Sequence, residues 1–259
     1  MKFIPLSIPN FEGNERKYVD EAIDQGWVST GGAYIRKLEE KMAHFLHVEN
    51  VAACQSGTSA LHLALVETGV GPGDVVIVPP LTFIAAVNPV KYQFATPIFI
   101  DCDDSFCIDP IKLQEFCEKE CHFDGETLFY KGKTVKALIV VHVFGNMADM
   151  VSILKIARKY NIKVIEDATE ALGTKYTDGP LKGKYAGTIG DFGCYSFNGN
   201  NVLETEMREM DRDFHTNSNQ ENTTISKTNT EQLIHQGCSK SRCLWPWCGG
   251  SVKDSSRFF

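Results

Sequence analysis

The residues best placed to do chemistry are two adjacent acids, Glu166 and Asp167, which follow the apolar run Val164-Ile165. Such a run is typical of a buried strand, and ligands of open α/β sheets bind at the C-terminal ends of the strands. A carboxylate buried there needs a cation or a hydrogen-bond donor, because an unpaired buried charge is strongly disfavoured. The protonated ring nitrogen of pyridoxal phosphate is one such partner. The alternative is that Asp167 simply caps the next helix.

A second candidate site is the turn Ser56-Gly57-Thr58, which lies between the apolar residues 51–54 and the helical pattern of residues 60–65. A strand that leads through small hydroxyl residues into a helix presents free N–H groups and the positive end of the helix dipole. Those features predict an anion site, and a phosphate is a reasonable occupant. A simple Ser or Thr N-cap would give the same pattern.

Two further segments carry side chains suited to binding. Phe83 follows the predicted strand at residues 74–80, where an aromatic ring can stack on a flat cofactor or pack in the core. Ser29 and Thr30 lie in a glycine-containing turn beside Trp27, which could line a binding site or only form a turn.

These candidate residues need a scaffold that brings strand ends together. From Val51 onward, apolar runs alternate with helical patterns, and the strongest strand pattern covers residues 135–142. This alternation predicts an α/β fold with a mostly parallel sheet and helices on both faces. Residues 122–133 form a polar excursion, for which we expect a hairpin or a surface loop.

Charge and composition exclude several classes of function. The net charge of −7 argues against a nucleic-acid-binding protein, which usually has a basic face. The nine cysteines fit no zinc-site spacing well, and six of them are scattered through apolar or helical stretches. No signal-peptide pattern and no membrane-spanning apolar run is present, so we expect a cytoplasmic protein with reduced thiols and no metal.

The composition changes after Asn200. Residues 216–230 are mostly Thr, Asn, Ser and Gln, which cannot bury a core. We therefore expect two regions: a folded domain at residues 1–200 and a polar, poorly ordered tail at residues 201–259.

Taken together, the motifs resemble the DegT/DnrJ/EryC1/StrS family of sugar aminotransferases, which have the fold of aspartate aminotransferase. The resemblance covers residues 4–200, and its last two motifs are most similar to enzymes that aminate UDP-linked 4-keto sugars in legionaminic acid and related pathways. It rests on six motifs in order: Gly26-Trp27-Val28-Ser29, Ser56-Gly57-Thr58-Ser59-Ala60-Leu61-His62, Pro80-Leu81-Thr82-Phe83, Val141-His142-Val143-Phe144-Gly145, Glu166-Asp167-Ala168 with Glu170, and residues 190–200.

The resemblance implies a role for each matching residue. Asp167 would pair with the pyridinium nitrogen of pyridoxal phosphate, and Phe83 would stack on the ring. The remaining implied roles are phosphate binding for Ser56, Gly57, Thr58 and Ser196, a position near the phenolic oxygen for Glu170, further cofactor contact for Asn198, pocket lining with a catalytic role for His142, and substrate contact for Ser29 and Thr30.

The sequence departs from the family pattern at Asn201. The family's Schiff-base lysine stands at this position, five residues after the phosphate-binding Ser196. Asn has no amine that could form an imine, so it can serve neither as the covalent anchor nor as the proton shuttle. Val202-Leu203-Glu204-Thr205 replaces the family's glycine-rich run. The resemblance implies that the family's remaining C-terminal part is missing, so we expect residues 1–200 to be an incomplete large domain that binds pyridoxal phosphate. A single frameshift or fusion after Asn200 explains these departures together.

The implied function is amino transfer to a nucleotide-linked 4-keto sugar, with glutamate as donor and with pyridoxamine phosphate formed in the half-reaction. Two alternatives follow from Asn201: a relative of the lysine-less sugar dehydratases of this family, or a non-catalytic remnant that binds cofactor or sugar. The family forms homodimers with the active site at the interface, and we expect weaker dimerisation here because part of that surface is missing. Neither nucleic acid nor a membrane is an expected partner.

Overall fold

A computed structural model describes residues 13–26 and 32–197, together with the backbone of residues 223–227. All of them belong to one compact unit, Met1–Thr228; a second unit, Asn229–Phe259, lies outside the described residues.

Six α-helices and nine β-strands make up the described part of the chain. The helices are α1 (Glu15–Asp24), α2 (Ala33–Leu46), α3 (Gly57–Glu67), α4 (Asn88–Tyr92), α5 (Pro110–Lys119) and α6 (Met150–Lys159). The strands are β1 (Asn50–Cys54), β2 (Val75–Val78), β3 (Thr96–Phe99), β4 (Cys121–Phe123), β5 (Leu128–Tyr130), β6 (Lys133–Val141), β7 (Lys163–Asp167), β8 (Phe192–Ser196) and β9 (Thr223–Lys227).

The central sheet has the strand order β1-β9-β8-β7-β6-β2-β3. Strands β8, β7, β6, β2 and β3 run parallel to one another, whereas β9 is antiparallel to both β1 and β8. Since β9 is antiparallel to both, β1 points the same way as β8. The C-terminal ends of six strands therefore face one edge of the sheet.

Alternate residues of the central strands pack into two separate cores, as the period of two in a strand requires. Leu138 and Val140 of β6 join a core with α5 and α6, whereas Ala137, Ile139 and Val141 join a core with α3 and α4. The sheet thus has helices on both faces, which confirms the predicted fold class.

Three features of the structure refine the sequence prediction. The predicted hairpin at residues 122–133 forms, as β4 pairs antiparallel with β5. After β2, the chain forms a 3₁₀ turn, Ile84–Ala86, and then the short α4, whose second residue is Pro89, rather than one continuous helix. One segment of the predicted tail, β9, joins the sheet, while the predicted domain boundary at residue 200 stays a prediction.

No helix in the residues described is long and apolar enough to cross a membrane. Six cysteines lie in these ranges, and all are free thiols. These ranges contain no cluster of three or more His, Cys, Asp or Glu able to hold a metal ion.

Candidate active site

The candidate active site is the sheet edge formed by the C-terminal ends of the parallel strands. β7 ends at Asp167, β8 ends at Ser196, and β1 leads directly into Ser56 and the first turn of α3. The fold therefore brings the phosphate-binding and ring-binding candidates to the same edge, although they are far apart in sequence.

The turn after β1 has the form of an anion-binding helix N-terminus. The hydroxyl of Ser56 caps α3 by accepting the N–H of Ser59 at 3.2 Å. The first helical bond runs from Ala60 N–H to the Ser56 carbonyl at 2.9 Å, which leaves the N–H groups of Gly57 and Thr58 without a partner among the described residues. The predicted N-cap is therefore present, and the same turn keeps the N–H groups that the predicted anion site would use.

Gly57 lies against the end of β8. A Cβ atom at Gly57 would be 3.4 Å from Cβ of Ser196 and 3.3 Å from Cγ2 of Thr169. A glycine at this position therefore lets the start of α3 lie close to the end of β8. The Ser196 hydroxyl is thus near the first N–H groups of α3. The structure brings Gly57 and Ser196 together, as a shared phosphate site would require.

Asp167 is almost fully buried, with 5% of its surface exposed. Its Oδ1 accepts the N–H of Thr169 at 3.2 Å. Burial raises the pKa of this carboxyl above that of an ordinary aspartate, whereas the hydrogen bond from the backbone of Thr169 opposes that rise. A buried carboxylate of this kind would gain from a cationic partner, because a cation favours its charged form.

His142 lies under the edge rather than on it. Its side chain and that of Glu166 are both fully buried, and the imidazole Nε2 lies 2.9 Å from Oε2 of Glu166. The Nδ1 atom accepts the N–H of Ala148 at 3.2 Å, so Nε2 carries the proton that it donates to Glu166. Both ring nitrogens are occupied within the protein, and a catalytic role for His142 stays a prediction.

The carboxylate of Glu166 anchors the loop that precedes β8. It accepts the N–H groups of Gly187 at 3.0 Å, Ile189 at 2.6 Å and Gly190 at 2.5 Å. Hydrogen bonds to a buried charged group are among the stronger ones in proteins, so this cluster fixes the loop to β7. The first acid of the pair thus has a structural role, and the second faces the candidate site.

Glu170 holds the exit turn of β6. Its Oε2 accepts the N–H of Phe144 at 2.8 Å, and Phe144 has a left-handed backbone (φ 53°). The Phe144 ring is 67% exposed. The position of Glu170 at this edge is compatible with its predicted place near a cofactor, but its contact with one stays a prediction.

Phe83 lies in the loop after β2 with 75% of its surface exposed, so it is not a core residue. An exposed ring beyond a strand end is available for stacking, as the sequence predicts for a cofactor contact. The hydroxyl of the preceding Thr82 is buried and has no hydrogen-bond partner in the described ranges.

Four predicted site residues lie outside the described residues: Ser29, Thr30, Asn198 and Asn201. The structure adds one residue that the sequence prediction missed. Thr169 lies beside Gly57 and donates its backbone N–H to Asp167. Its place two residues after an acid was the available signal, since an aspartate often accepts the N–H of the residue two positions on.

The residues at this edge, as they are placed, fit both the phosphate and the ring of a pyridoxal phosphate. The free N–H groups and Ser196 suit a phosphate dianion. The buried carboxyl of Asp167 suits a ring cation. Gly57 has no side chain, so no Cβ atom occupies the space between the start of α3 and Ser196.

Comparison with known proteins identifies the class to which this arrangement belongs. The pattern of the DegT/DnrJ/EryC1/StrS aminotransferase family matches residues 9–207. The chain belongs to this family.

Among characterised relatives, a GDP-perosamine synthase of Escherichia coli O157:H7 is 42% identical over 205 residues, which is 79% of this chain and 51% of that protein. The chain spans about half the length of the curated relatives it matches.

Solved structures give the same assignment. An aminotransferase from Psychrobacter cryohalolentis superimposes with a TM-score of 0.70 at 27% identity, covering 88% of this chain and 50% of that one. The NtdA protein of Bacillus subtilis, solved with bound pyridoxamine phosphate, has a TM-score of 0.64 at 29% identity, covering 84% of this chain and 42% of that one. The fold is therefore that of the large domain of pyridoxal-phosphate-dependent aminotransferases.

Proposed function

We propose that this chain is the cofactor-binding part of a nucleotide-sugar aminotransferase, and that it retains the non-covalent cofactor pocket but transfers amino groups poorly or not at all. The observation that carries the proposal is the meeting of Gly57, Ser196 and Asp167 at one sheet edge. Family membership and the sugar-related relative support the substrate class.

Each residue has a distinct task in this proposal. The N–H groups of Gly57 and Thr58 and the hydroxyl of Ser196 hold the phosphate, while Phe83 covers one face of the ring. Asp167 keeps the ring nitrogen protonated. When bound, the pyridinium ring supplies an electron sink for the transfer of an amino group. Glu166 and His142 act indirectly, because they fix the loop on which the site is built.

Proton transfer is the task for which the chain has no suitable group at the expected position. The resemblance places the shuttle at residue 201, and Asn201 cannot take up a proton at neutral pH. General acid–base help is typically worth about 10²–10⁴-fold in rate, so its loss alone would leave little turnover. Asn201 also favours the second candidate function, a non-catalytic binder of cofactor or sugar.

For the acceptor we propose a class of sugar and do not specify its nucleotide. The resemblance favours a UDP-linked 4-keto sugar, whereas the relative from E. coli is named for a GDP-linked sugar. We propose a nucleotide-linked 4-keto sugar as the acceptor and glutamate as the donor, without choosing between the two bases.

The proposal is tested by titrating the chain with pyridoxamine phosphate and following the change in cofactor fluorescence. We expect saturable binding that inorganic phosphate competes for and that Asp167→Asn weakens. An assay with glutamate and either a GDP- or a UDP-linked 4-keto sugar should show little product. Absence of any pyridoxamine phosphate binding would contradict the proposed pocket, and robust turnover would contradict the assignment of Asn201.

A further inference from the structure

A cavity of about 380 Å³ lies between the end of α2 and the loop that leads to β8. Its lining comes from residues 46–49, which run into the start of β1, and from five residues of the segment 182–188. The candidate active site adjoins the other end of β1, where the chain enters Ser56 and α3. The length of β1 therefore separates this cavity from the cofactor edge.

Two lysines of the lining have no acidic partner. Lys182 and Lys184 are both exposed, and neither side chain forms an ion pair or a hydrogen bond with any residue that the structure describes. Glu49, the acid among the lining residues, pairs with neither of them. The N–H of Gly183 donates to the Tyr176 carbonyl at 2.8 Å, which fixes the turn that carries both lysines. Neighbouring like charges repel, so an anion bound between the two ammonium groups would be stabilised.

One side of the cavity is aromatic and apolar. Tyr185 is only 8% exposed, and its hydroxyl has no hydrogen-bond partner in the described ranges. Nζ of Lys175 lies 4.5 Å from the centroid of the Tyr185 ring, and the centroid of the His47 ring lies 6.2 Å from it. Leu46 is buried and Val48 half-buried beside them. A largely buried phenol without a partner has lost hydrogen bonds to water, so it would gain from an acceptor on a ligand.

We propose that this cavity binds a nucleoside diphosphate, with the diphosphate against Lys182 and Lys184 and the nucleoside against Tyr185 and its apolar neighbours. Its volume lies within the range of small-molecule sites, about 300–1,000 Å³, and leaves room for more than a phosphate. Lysine binds phosphate as a point charge, and an aromatic and apolar wall suits a flat base. The inference goes beyond the proposed function and does not rest on it, because the cavity lies apart from the cofactor edge.

The first experiment locates the ligand. Amide NMR shifts of the full chain are followed during titration with UDP, in the presence of excess pyridoxamine phosphate. We expect saturable shifts at Gly183, Lys184 and Thr188, which line the cavity. Shifts confined to Gly57 and Ser196 would place the nucleotide at the cofactor edge and overturn the inference. Shifts that do not saturate would indicate general attraction to exposed lysines and would overturn it as well.

The second experiment removes the two charges. The double variant Lys182→Gln/Lys184→Gln keeps polar side chains of similar length, and calorimetry should show UDP binding weakened by about tenfold or more, since hydrogen bonds to charged groups are lost. The matched control is Lys91→Gln/Lys155→Gln, which neutralises two exposed lysines of α4 and α6. This control should bind UDP as the parent does. Equal losses in the two double variants would contradict a specific site.

The third experiment tests the class of ligand. Tyr185→Phe keeps the ring and removes the hydroxyl, so it should weaken UDP binding by about threefold or more. Pyrophosphate should bind more weakly than UDP, because it has no nucleoside to contact the apolar side. Pyrophosphate binding as tight as that of UDP, or unchanged UDP affinity in Tyr185→Phe, would contradict the assignment to a nucleoside diphosphate.

This proposal and the proposed function fail in different ways. If the chain binds no pyridoxamine phosphate, the proposed function is wrong, while the UDP shifts at Gly183 and Thr188 still decide whether the cavity is a nucleotide site. If pyridoxamine phosphate binds and UDP produces no shifts in the lining, the proposed function stands and the nucleotide site is wrong.

Discussion

Asp167 is a buried acid whose charge opposes folding in the ligand-free chain. Its carboxyl is buried at the end of β7, and burial raises its pKa in the folded chain. Between the ordinary aspartate pKa and this raised value, the folded chain binds more protons than the unfolded chain. Stability must therefore fall as the pH rises through that window.

We predict that Asp167→Asn stabilises the ligand-free chain at neutral pH. The neutral amide has no charge to desolvate, and each unit by which the pKa of Asp167 is raised corresponds to about 1.4 kcal/mol of free energy of unfolding. Urea unfolding between pH 4 and 8 should show that the free energy of unfolding falls less with rising pH in the variant than in the parent. The matched control is Asp20→Asn on the exposed face of α1, which should follow the parent. An Asp167→Asn variant that is less stable than the parent at neutral pH would contradict this prediction.

The sequence indicated some residues of the candidate site and not others, for physical reasons. Asp167 and the Ser56-Gly57-Thr58 turn were predictable because strand ends and helix starts have local signatures. The burial of His142 beside Glu166 depends on contacts between β6, β7 and the loop before β8, which no local pattern encodes. Thr169 was not predicted because its proximity to Gly57 joins residues more than a hundred positions apart in sequence.

At the scale of elements, the loop before β8 lies directly on the strand that it precedes. A Cβ atom at Gly193 in β8 would overlap the carbonyl oxygen of Gly187, which is part of the backbone. Gly187 is itself held by Glu166 through its N–H. The overlap therefore cannot be relieved by rotating a side chain, and the loop would have to leave the sheet.

We predict that Gly193→Ala lowers the free energy of unfolding by at least about 3 kcal/mol, the upper part of the range for overpacking. The matched control is Gly71→Ala, where a new Cβ meets nothing within 4 Å. That control should be neutral or slightly stabilising, because alanine restricts the unfolded chain. Urea unfolding of both variants checks the difference, and similar stabilities would show that the loop gives way easily.

Strand β9 occupies the space between β1 and β8 and is paired with both. The segment Thr-Thr-Ile-Ser-Lys was not predicted as a strand, because its neighbours are polar and it has no long apolar pattern. Strand formation here depends on two neighbouring edges that offer unpaired backbone groups, which is a property of the tertiary structure.

We predict that Ile225→Pro loosens β1 and β8 while leaving the far side of the sheet intact. Proline has no N–H to donate, and at a strand paired on both sides it removes a ladder hydrogen bond. Amide hydrogen exchange should become faster in β1 and β8, with β2 and β3 as the internal reference. Unchanged exchange in β1 and β8 would argue that β9 contributes little to the sheet in solution.

At the scale of the whole molecule, the fold was more predictable than the function. Alternating apolar runs and helical patterns are enough to predict a mostly parallel sheet with helices on both faces, because each strand and each helix must bury its apolar side. The proposed activity would depend on residue 201 and its surroundings, which lie outside the described residues. The chain also spans about half the length of its curated relatives, so the activity of those proteins does not carry over directly.

The last prediction concerns Asn201→Lys. If the missing lysine were the only defect, this variant should form a covalent link to pyridoxal phosphate, detectable by mass after borohydride reduction, and should transfer amino groups from glutamate. We expect some covalent linkage, because the non-covalent pocket would bring the cofactor to this edge, but little turnover. The reason is that Val202-Leu203-Glu204-Thr205 stands where the family pattern has a glycine run, so the new lysine is not held in position for proton transfer.

Asn201→Arg is the matched control, since it adds the same charge without a primary amine and should form no reducible link. Full turnover by Asn201→Lys would show that one substitution accounts for the impaired chemistry, and turnover by the unmodified chain would show that residue 201 is not the position of the shuttle.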